Sequence, residues 1–252
     1  MTLIKYQPAA DIVGYTTTKE QGNLSFTVGD KPELVLERRK KLADTIGIDL
    51  NRFVFARQQH TDKIAKVTEQ DAGKGALSHE EGIPGVDGLY TFDENLVLAF
   101  FHADCVPILL HDPMSGLIGA IHSGWQGTLH EITRKALEKI QEDEGIDLSN
   151  LNVYIGPCLS KESSSIDQDL SPYLTDSTFD KTDYIETTTH EFKIDTRGLT
   201  HKMLEDAGVK KENITTIEQD TYQMDESYFS FQRDTQTGRH LTLIYKKGQQ
   251  PN

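Results

Sequence analysis

The stretch Leu96–Thr128, LVLAFFHADCVPILLHDPMSGLIGAIHSGWQGT, constrains this chain more than any other. Two apolar runs, Leu96–Phe101 and Val106–Leu110, flank the triplet His102-Ala103-Asp104 and the Cys105 that follows it. A third run, Leu117–Ile121, stops at His122 and passes at once into Ser-Gly-Trp-Gln-Gly. Apolar runs this short, bounded by Gly, Pro and Asp, read as buried strands rather than helices. That reading sets a thiol and an imidazole at or beside strand ends in neighbouring segments, where α/β proteins keep their chemistry.

Strand and helix signals alternate around this block. Strands are expected at Asp11–Thr16, Arg52–Ala56, Ile64–Val67, Leu151–Ile155, Phe192–Ile194 and Ile214–Glu218, while Val86–Thr91 returns the chain to the core. A C-terminal hairpin is expected from Tyr228–Gln232 and Leu241–Lys246, joined through a Gly-containing turn. The pattern predicts a helix over Pro32–Ile46, with Asp30 as cap, Gly47 as stop, and Leu34, Val35, Leu42 and Ile46 inward. A second helix runs from an N-cap at Thr128 to about Glu142, Glu131 completing a capping box. A third covers Thr196–Ala207, with Leu199, Met203 and Leu204 inward. Glu69–Gly85 reads as an exposed loop, and the weak pattern after Lys161 holds only a short helix near Asp167–Tyr173. Without repeat or linker, residues 1–252 are expected to form a single domain with a mixed-sheet α/β fold.

Composition limits the partners. A net charge of −14, with 40 acidic against 26 basic residues, argues against nucleic acid, which demands a concentrated basic surface. An anionic ligand would need a few arginines placed locally. No apolar run reaches membrane-span length, the first residues lack the pattern of a signal peptide, and two cysteines make no disulfide framework. A cytoplasmic protein is expected; the oligomeric state has no signature here.

Catalytic zinc takes three protein ligands from His, Cys or carboxylate and keeps one position open. His60, Cys105 and His122 each lie at or beside an expected strand end and could meet on one ion. The plainer alternatives stand beside this: an inert buried thiol for Cys105 and hydrogen-bonded loop histidines for the other two. Gly124 and Gly127 permit close backbone approach to a ligand, and Trp125 between them is either a flat face for a ring or a core aromatic. The set His79-Glu80-Glu81 with Pro157-Cys158 lacks the second cysteine of zinc nucleobase deaminases, because Lys161 stands there. No serine-hydrolase elbow, phosphate loop or dinucleotide fingerprint is present. Arg233 and Arg239 flank the C-terminal turn and, taken alone, read as solvated.

Several rarer words occur in order: Gln58-Gln59-His60, Val86-Asp87-Gly88, Ala103-Asp104-Cys105-Val106-Pro107, Ile121-His122-Ser123-Gly124-Trp125-Gln126-Gly127-Thr128, Ile155-Gly156-Pro157-Cys158 and Phe229-Ser230-Phe231-Gln232-Arg233 with Thr237-Gly238-Arg239. Together, nearly end to end, they resemble the laccase-domain (YfiH) family, also described as peptidoglycan editing factors and formerly as multicopper polyphenol oxidases. Asn23 with Val28-Gly29-Asp30, and Arg39, resemble the family's N-terminal signature. The chain departs from the pattern at Arg38, Ser164-Ser165-Ile166, Asp220 and Gln232.

The resemblance implies an α/β (α+β) fold of layered mixed sheets flanked by helices, and zinc held by His60, Cys105 and His122, with copper as the alternative metal. It implies phosphorolysis of adenosine, inosine and methylthioadenosine, and hydrolytic deamination of adenosine, so that purine nucleosides and phosphate are the partners. Asn23, Arg39, Trp125 and Arg233 become substrate-binding candidates, the two arginines for phosphate because a guanidinium grips it in bidentate fashion. Asp104 and Ser123 adjoin two ligands and become candidates for orienting them. A rival expectation makes Cys105 a nucleophile activated by His122, in a hydrolase of peptidoglycan precursors. A multicopper oxidase is a weaker one, since one three-ligand cluster falls short of its histidine requirement.

Overall fold

The three apolar runs of the central block are strands: β7 (Val97–His102), β8 (Val106–His111) and β9 (Ile118–Ser123). They lie in two different sheets of a computed structural model that describes residues 2–174 and 179–248. In the first sheet the order is β1 (Leu3–Tyr6), β2 (Ile12–Thr17), β14 (His240–Lys246), β7, β3 (Phe53–Arg57) and β5 (Ile83–Pro84). In the second it is β13 (Ile214–Thr216), β10 (Asn152–Ile155), β8, β9, β6 (Gly88–Thr91) and β4 (Ile64–Lys66). Both sheets are mixed: β3 runs parallel to β7 and β14 antiparallel to it, while β4 is parallel to β6 and β9 antiparallel. A small ribbon pairs β11 (Ile185–Thr187) with β12 (Phe192–Ile194).

Alternation of side chains across each strand sorts the layers. Leu98 and Phe100 of β7 meet Leu109 of β8 and Ile118 and Ala120 of β9 between the sheets. Val97 and Ala99 point the other way, onto Leu42 and Ala43 of helix α1 (Pro32–Ile46). Beyond the second sheet, Ile108, Leu110 and Ile121 pack on Ile132, Leu137 and Ile140 of α3 (Ile132–Glu144). Helix α2 (Trp125–Leu129) precedes α3, and α4 (Thr196–Asp206) packs Leu204 into the same layer. The result is helix, sheet, sheet, helix. Burying each Leu or Ile contributes about 1.5–3 kcal/mol, so the layer between the sheets and the layers under the helices all add to the stability. Among the described residues no helix is long and apolar enough to cross a membrane.

Several expectations are corrected. The capping box at Thr128 does not form. Thr128 lies inside α2, bonded to Gly124 O and Ser123, and Glu131 takes a left-handed conformation (φ 63°) that separates α2 from α3. Buried Glu131 pairs with Lys181 and Arg134 instead. Asp30 leaves the cap of α1 to Lys31 and binds Arg38 at 2.6 Å; Leu34 is exposed, and Arg39 occupies the buried face. The loop before Val86 carries two 3-10 turns and β5, and buries Ala76 completely. The helix near Asp167–Tyr173 is a single 3-10 turn, Ser171–Tyr173. Only β14 of the C-terminal hairpin exists; residues 228–239 are turns whose polar groups bind elsewhere in the chain.

Candidate functional site

Strand register brings Cys105 and His122 together. Val106 pairs with Ser123 and Pro107 with His122, so Cys105 stands opposite Gly124, one step beyond the ladder. A Cβ at Gly124 would lie 2.6 Å from His60 Cδ2 and 3.1 Å from Cys105 Sγ, so only glycine leaves the space where the three residues meet. His60 arrives on the loop after β3 with φ 58°, and Asp104 at the turn before β8 has φ 87°. Non-glycine residues held left-handed in this way mark places where surrounding contacts override local preference.

Those contacts come from two carboxylates. Asp87, just before β6, accepts hydrogen bonds from the amides of Gln59, His60 and Thr61, from the Thr61 hydroxyl, and lies 2.9 Å from His122 Nδ1. Asp104 accepts from Thr221 Oγ1 at 2.6 Å, Ser230 Oγ at 3.0 Å and the Gln232 amide at 2.7 Å. One acid thus positions two histidines, and the other pins the turn that carries the cysteine.

The ligand atoms of His60, Cys105 and His122 lie within 4.8 Å of one another, with Cys105 Sγ 3.9 Å from His60 Nε2. The two rings meet edge to face at 5.0 Å. Burial alone would raise the Cys105 thiol, but the adjoining His122 and His60 outweigh it and hold the thiol at about 6. Burial would likewise lower His122, but Cys105 and Asp87 lift it to about 10. Burial works against the Asp87 carboxylate too, yet the donors around it keep it at about 2. Cys105 and His122 therefore favour a thiolate beside an imidazolium, coupled as one pair.

The three side chains line a pocket of about 660 Å³, a size suited to a small-molecule ligand. Asp104 and Trp125 also line it, Trp125 packed edge-on against Tyr173. Other expected residues stand elsewhere. Ser123 is fully buried with its hydroxyl on Thr128, and Asn23 is buried and bonds the main chain of Ser25 and Arg239. Arg39 is buried beneath the pocket wall, donating to the carbonyls of Leu24, Gly75 and Ala76 and stacked by Phe26, Phe55 and Phe101. Arg233 spends its guanidinium on the carbonyls of Thr221, Tyr222 and Tyr228 and on Asp225. Neither arginine reaches the pocket. Arg239 does, and among the described residues it is the only Lys or Arg in the lining. Asp87 and Arg239 are the residues that the sequence reading named without giving them a place in the site. A carboxylate immediately before a buried strand, and an arginine at the mouth of one, were the available signals.

The family model for multi-copper polyphenol oxidoreductase laccases matches residues 14–247. The chain belongs to this family. Among laccase-domain relatives, the purine nucleoside phosphorylase YlmD of Bacillus subtilis is 32% identical, over 94% of this chain and 88% of its own. A purine nucleoside phosphorylase of Staphylococcus epidermidis is 32% identical over 96% and 95%. Of solved structures, YlmD from Geobacillus stearothermophilus superposes with a TM-score of 0.88 at 32% identity, covering 96% of this chain and 94% of that one. YfiH of Bacillus licheniformis gives 0.89 at 28%, covering 96% and 99%. The relatives carry the name purine nucleoside phosphorylase, and the chain shares the mixed α/β fold of the YlmD and YfiH structures.

A metal is implied by the family, and the residues fit one. Two imidazoles and an acidified thiol converge where a glycine leaves room, the donor set suited to a single zinc-type ion. They do not fit a multicopper cluster. Among the described residues this is the one group of three or more such side chains near enough to share an ion.

Proposed function

We propose that this chain is a zinc-dependent purine nucleoside phosphorylase acting on adenosine, inosine and methylthioadenosine, and that it also deaminates adenosine by hydrolysis. The observation that carries the reading is the convergence of His60, Cys105 and His122 in a pocket large enough for a nucleoside. The phosphorylase names of relatives at 32% identity support the substrate class.

When bound, zinc (or copper in its place) supplies Lewis acidity and a more acidic water. Everything else falls to the chain. Asp87 orients His122 through Nδ1, leaving Nε2 toward the centre, and holds the loop bearing His60. Asp104 positions Cys105 through the turn it anchors, and Ser123 steadies the start of α2. Trp125 offers an apolar surface to the base. In phosphorolysis a phosphate oxygen bonds to C1′ as the C1′–N9 bond breaks; the electron pair leaves with the purine, which takes up a proton. In deamination water adds at C6 and ammonia departs.

Elemental analysis beside a nucleoside assay, run with and without phosphate and chelator, tests this. The expected result is about one zinc per chain and ribose 1-phosphate formed only when phosphate is present. Nucleosides left intact by metal-loaded protein would overturn it.

A second reading has one observation in its favour. The low-pKa Cys105 thiol beside His122 suits a cysteine nucleophile acting on peptidoglycan precursors. Such a hydrolase would work in chelator and form an acyl adduct on Cys105, which a metal-holding thiolate would not.

A further inference from the structure

We propose that Arg239 is the phosphate-binding residue of the pocket, with the hydroxyls of Ser25 and Thr27 as the polar wall beside it. The inference rests on the phosphorylase reading for the identity of its anion.

Charge is the first argument. The protein carries a net charge of −14, whose field repels phosphate, so a seat for the dianion needs a local cation. Arg239 is the one Lys or Arg among the described pocket-lining residues. It is close enough to Cys105 and Asp104 to feel their charge, which places it on the side of the cavity where the chemistry is expected.

Its hydrogen bonding is the second. Arg239 Nη1 donates to Thr237 O at 2.6 Å and Gly238 O at 3.1 Å, and the guanidinium lies 5.6 Å from the centroid of Phe231. One edge of the fork is thereby fixed. Nε and Nη2 have no partner among the described residues, and no carboxylate there pairs with the side chain. Arg38, Arg52, Arg134, Arg197 and Arg233 each have an acidic partner, and Arg39 has three carbonyls. An oriented, half-satisfied guanidinium in a cavity matches the bidentate grip of phosphate. Burial lowers its pKa, the response of a cation short of an anion.

Construction of the wall is the third. Asn23 Oδ1 accepts from the amides of both Arg239 and Ser25, each at 3.0 Å, and Leu24 N donates back to Arg239 O. One buried amide therefore ties the arginine to the loop that carries Ser25 and Thr27, whose hydroxyls lie 2.8 Å apart and line the same pocket. Asn23 becomes a positioning residue for this seat rather than a substrate contact.

The test compares Arg239→Gln and Arg239→Lys with the parent, all metal-loaded. Inorganic phosphate is titrated calorimetrically, and inosine phosphorolysis is followed as phosphate is varied. Arg239→Gln should weaken phosphate, in Kd and KM alike, by at least about tenfold, the loss expected for a bidentate charged pair. Metal content should be unchanged and inosine affinity held within about twofold. Arg239→Lys keeps the charge without the fork and should fall between; it decides the matter if the glutamine variant does not fold. Phosphate affinity unchanged in the folded variants, or a parent that binds no phosphate, overturns the assignment. Inosine 5′-monophosphate provides the other arm: if Arg239 affects its binding and not that of inorganic phosphate, the residue reads a nucleotide phosphate and the proposal fails. Phosphate held through Arg239 by a protein that cleaves no nucleoside would sink the phosphorylase reading alone. Cleavage with an unaltered phosphate KM in Arg239→Gln would sink the arginine alone.

Discussion

Asp87 Oδ1 lies 2.9 Å from His122 Nδ1, and the same carboxylate takes the amide of His60. A residue of β9 and one of the loop after β3 are thus set by one acid that is itself wholly buried. Asparagine there keeps an acceptor but loses the charge and one full set of lone pairs. Asp87→Asn should lower metal affinity by about 10–100-fold, the usual cost of losing a partner behind a ligating histidine. Competition against a chromophoric chelator measures it, and an unaltered affinity would show that the histidines are placed by the strands alone.

Alanine at each of His60, Cys105 and His122 should lower both metal content and nucleoside activity, because each removes one of three converging donors. Cys158 is the internal control. It is fully buried outside the cluster, and burial pushes its thiol up to about 12, so it is neither ionised nor available. Cys158→Ser should keep its metal. Full metal retention by all three ligand variants, or loss in Cys158→Ser to match Cys105→Ala, would displace the site.

Gly124→Ala tests the space rather than the donors. The added methyl would sit 2.6 Å from His60 Cδ2, within the van der Waals wall of the ring of a residue whose main-chain amide is held by Asp87. The backbone of Gly124 is extended (φ −71°), so alanine brings no conformational strain. The expected outcome is a folded protein with lost or sharply weakened metal binding. Normal metal content would mean that His60 moves freely and is not a fixed part of the centre.

What the sequence made legible follows from the range of the forces involved. Short apolar runs closed by Gly, Pro and Asp read as buried strands, and scarce donors at their ends can then meet, as His60, Cys105 and His122 do. Arg39 was a phosphate candidate because a guanidinium grips that anion in bidentate fashion, and a charged residue on an amphipathic helix normally faces water. Here three carbonyls and three phenylalanine faces receive it, with its pKa lowered to about 9 by burial, and no local pattern announces that. Residues 228–232 alternate like a strand, but Ser230 and Gln232 are drawn to Asp104, more than a hundred positions earlier. Arg239 and Asp87 were visible only as parts of family-like words, without a role, for the same reason: their surroundings belong to tertiary partners.

Acid should unfold the metal-free protein through its buried histidines. Burial holds His240 at about 3, against an ordinary value of 6.5, and its Nε2 accepts the amide of Phe229 at 2.7 Å, which demands the neutral ring. His102, wholly buried and bonded through Nε2 to Thr242 Oγ1, is also lowered, and His111 and His201 shift the same way. Below 6.5 the unfolded chain takes up these protons and the folded chain does not, so stability is complete above that pH and declines as pH falls toward 3. His122 is raised and acts in the opposite window, between 6.5 and 10, while Asp87 acts only below its unfolded value of 3.8. Between pH 5 and 6 the depressed histidines contribute alongside Cys105, held at about 6, and comparison of a histidine variant with its parent cancels what the two share. Each depressed histidine contributes up to about 1.4 kcal/mol per pH unit. Urea unfolding across that interval should show His240→Gln with a slope shallower than the parent's by close to one proton, even if its stability is lower throughout. Equal slopes would mean that His240 already carries its proton in the folded state, and the neutral acceptor for Phe229 would have to be abandoned.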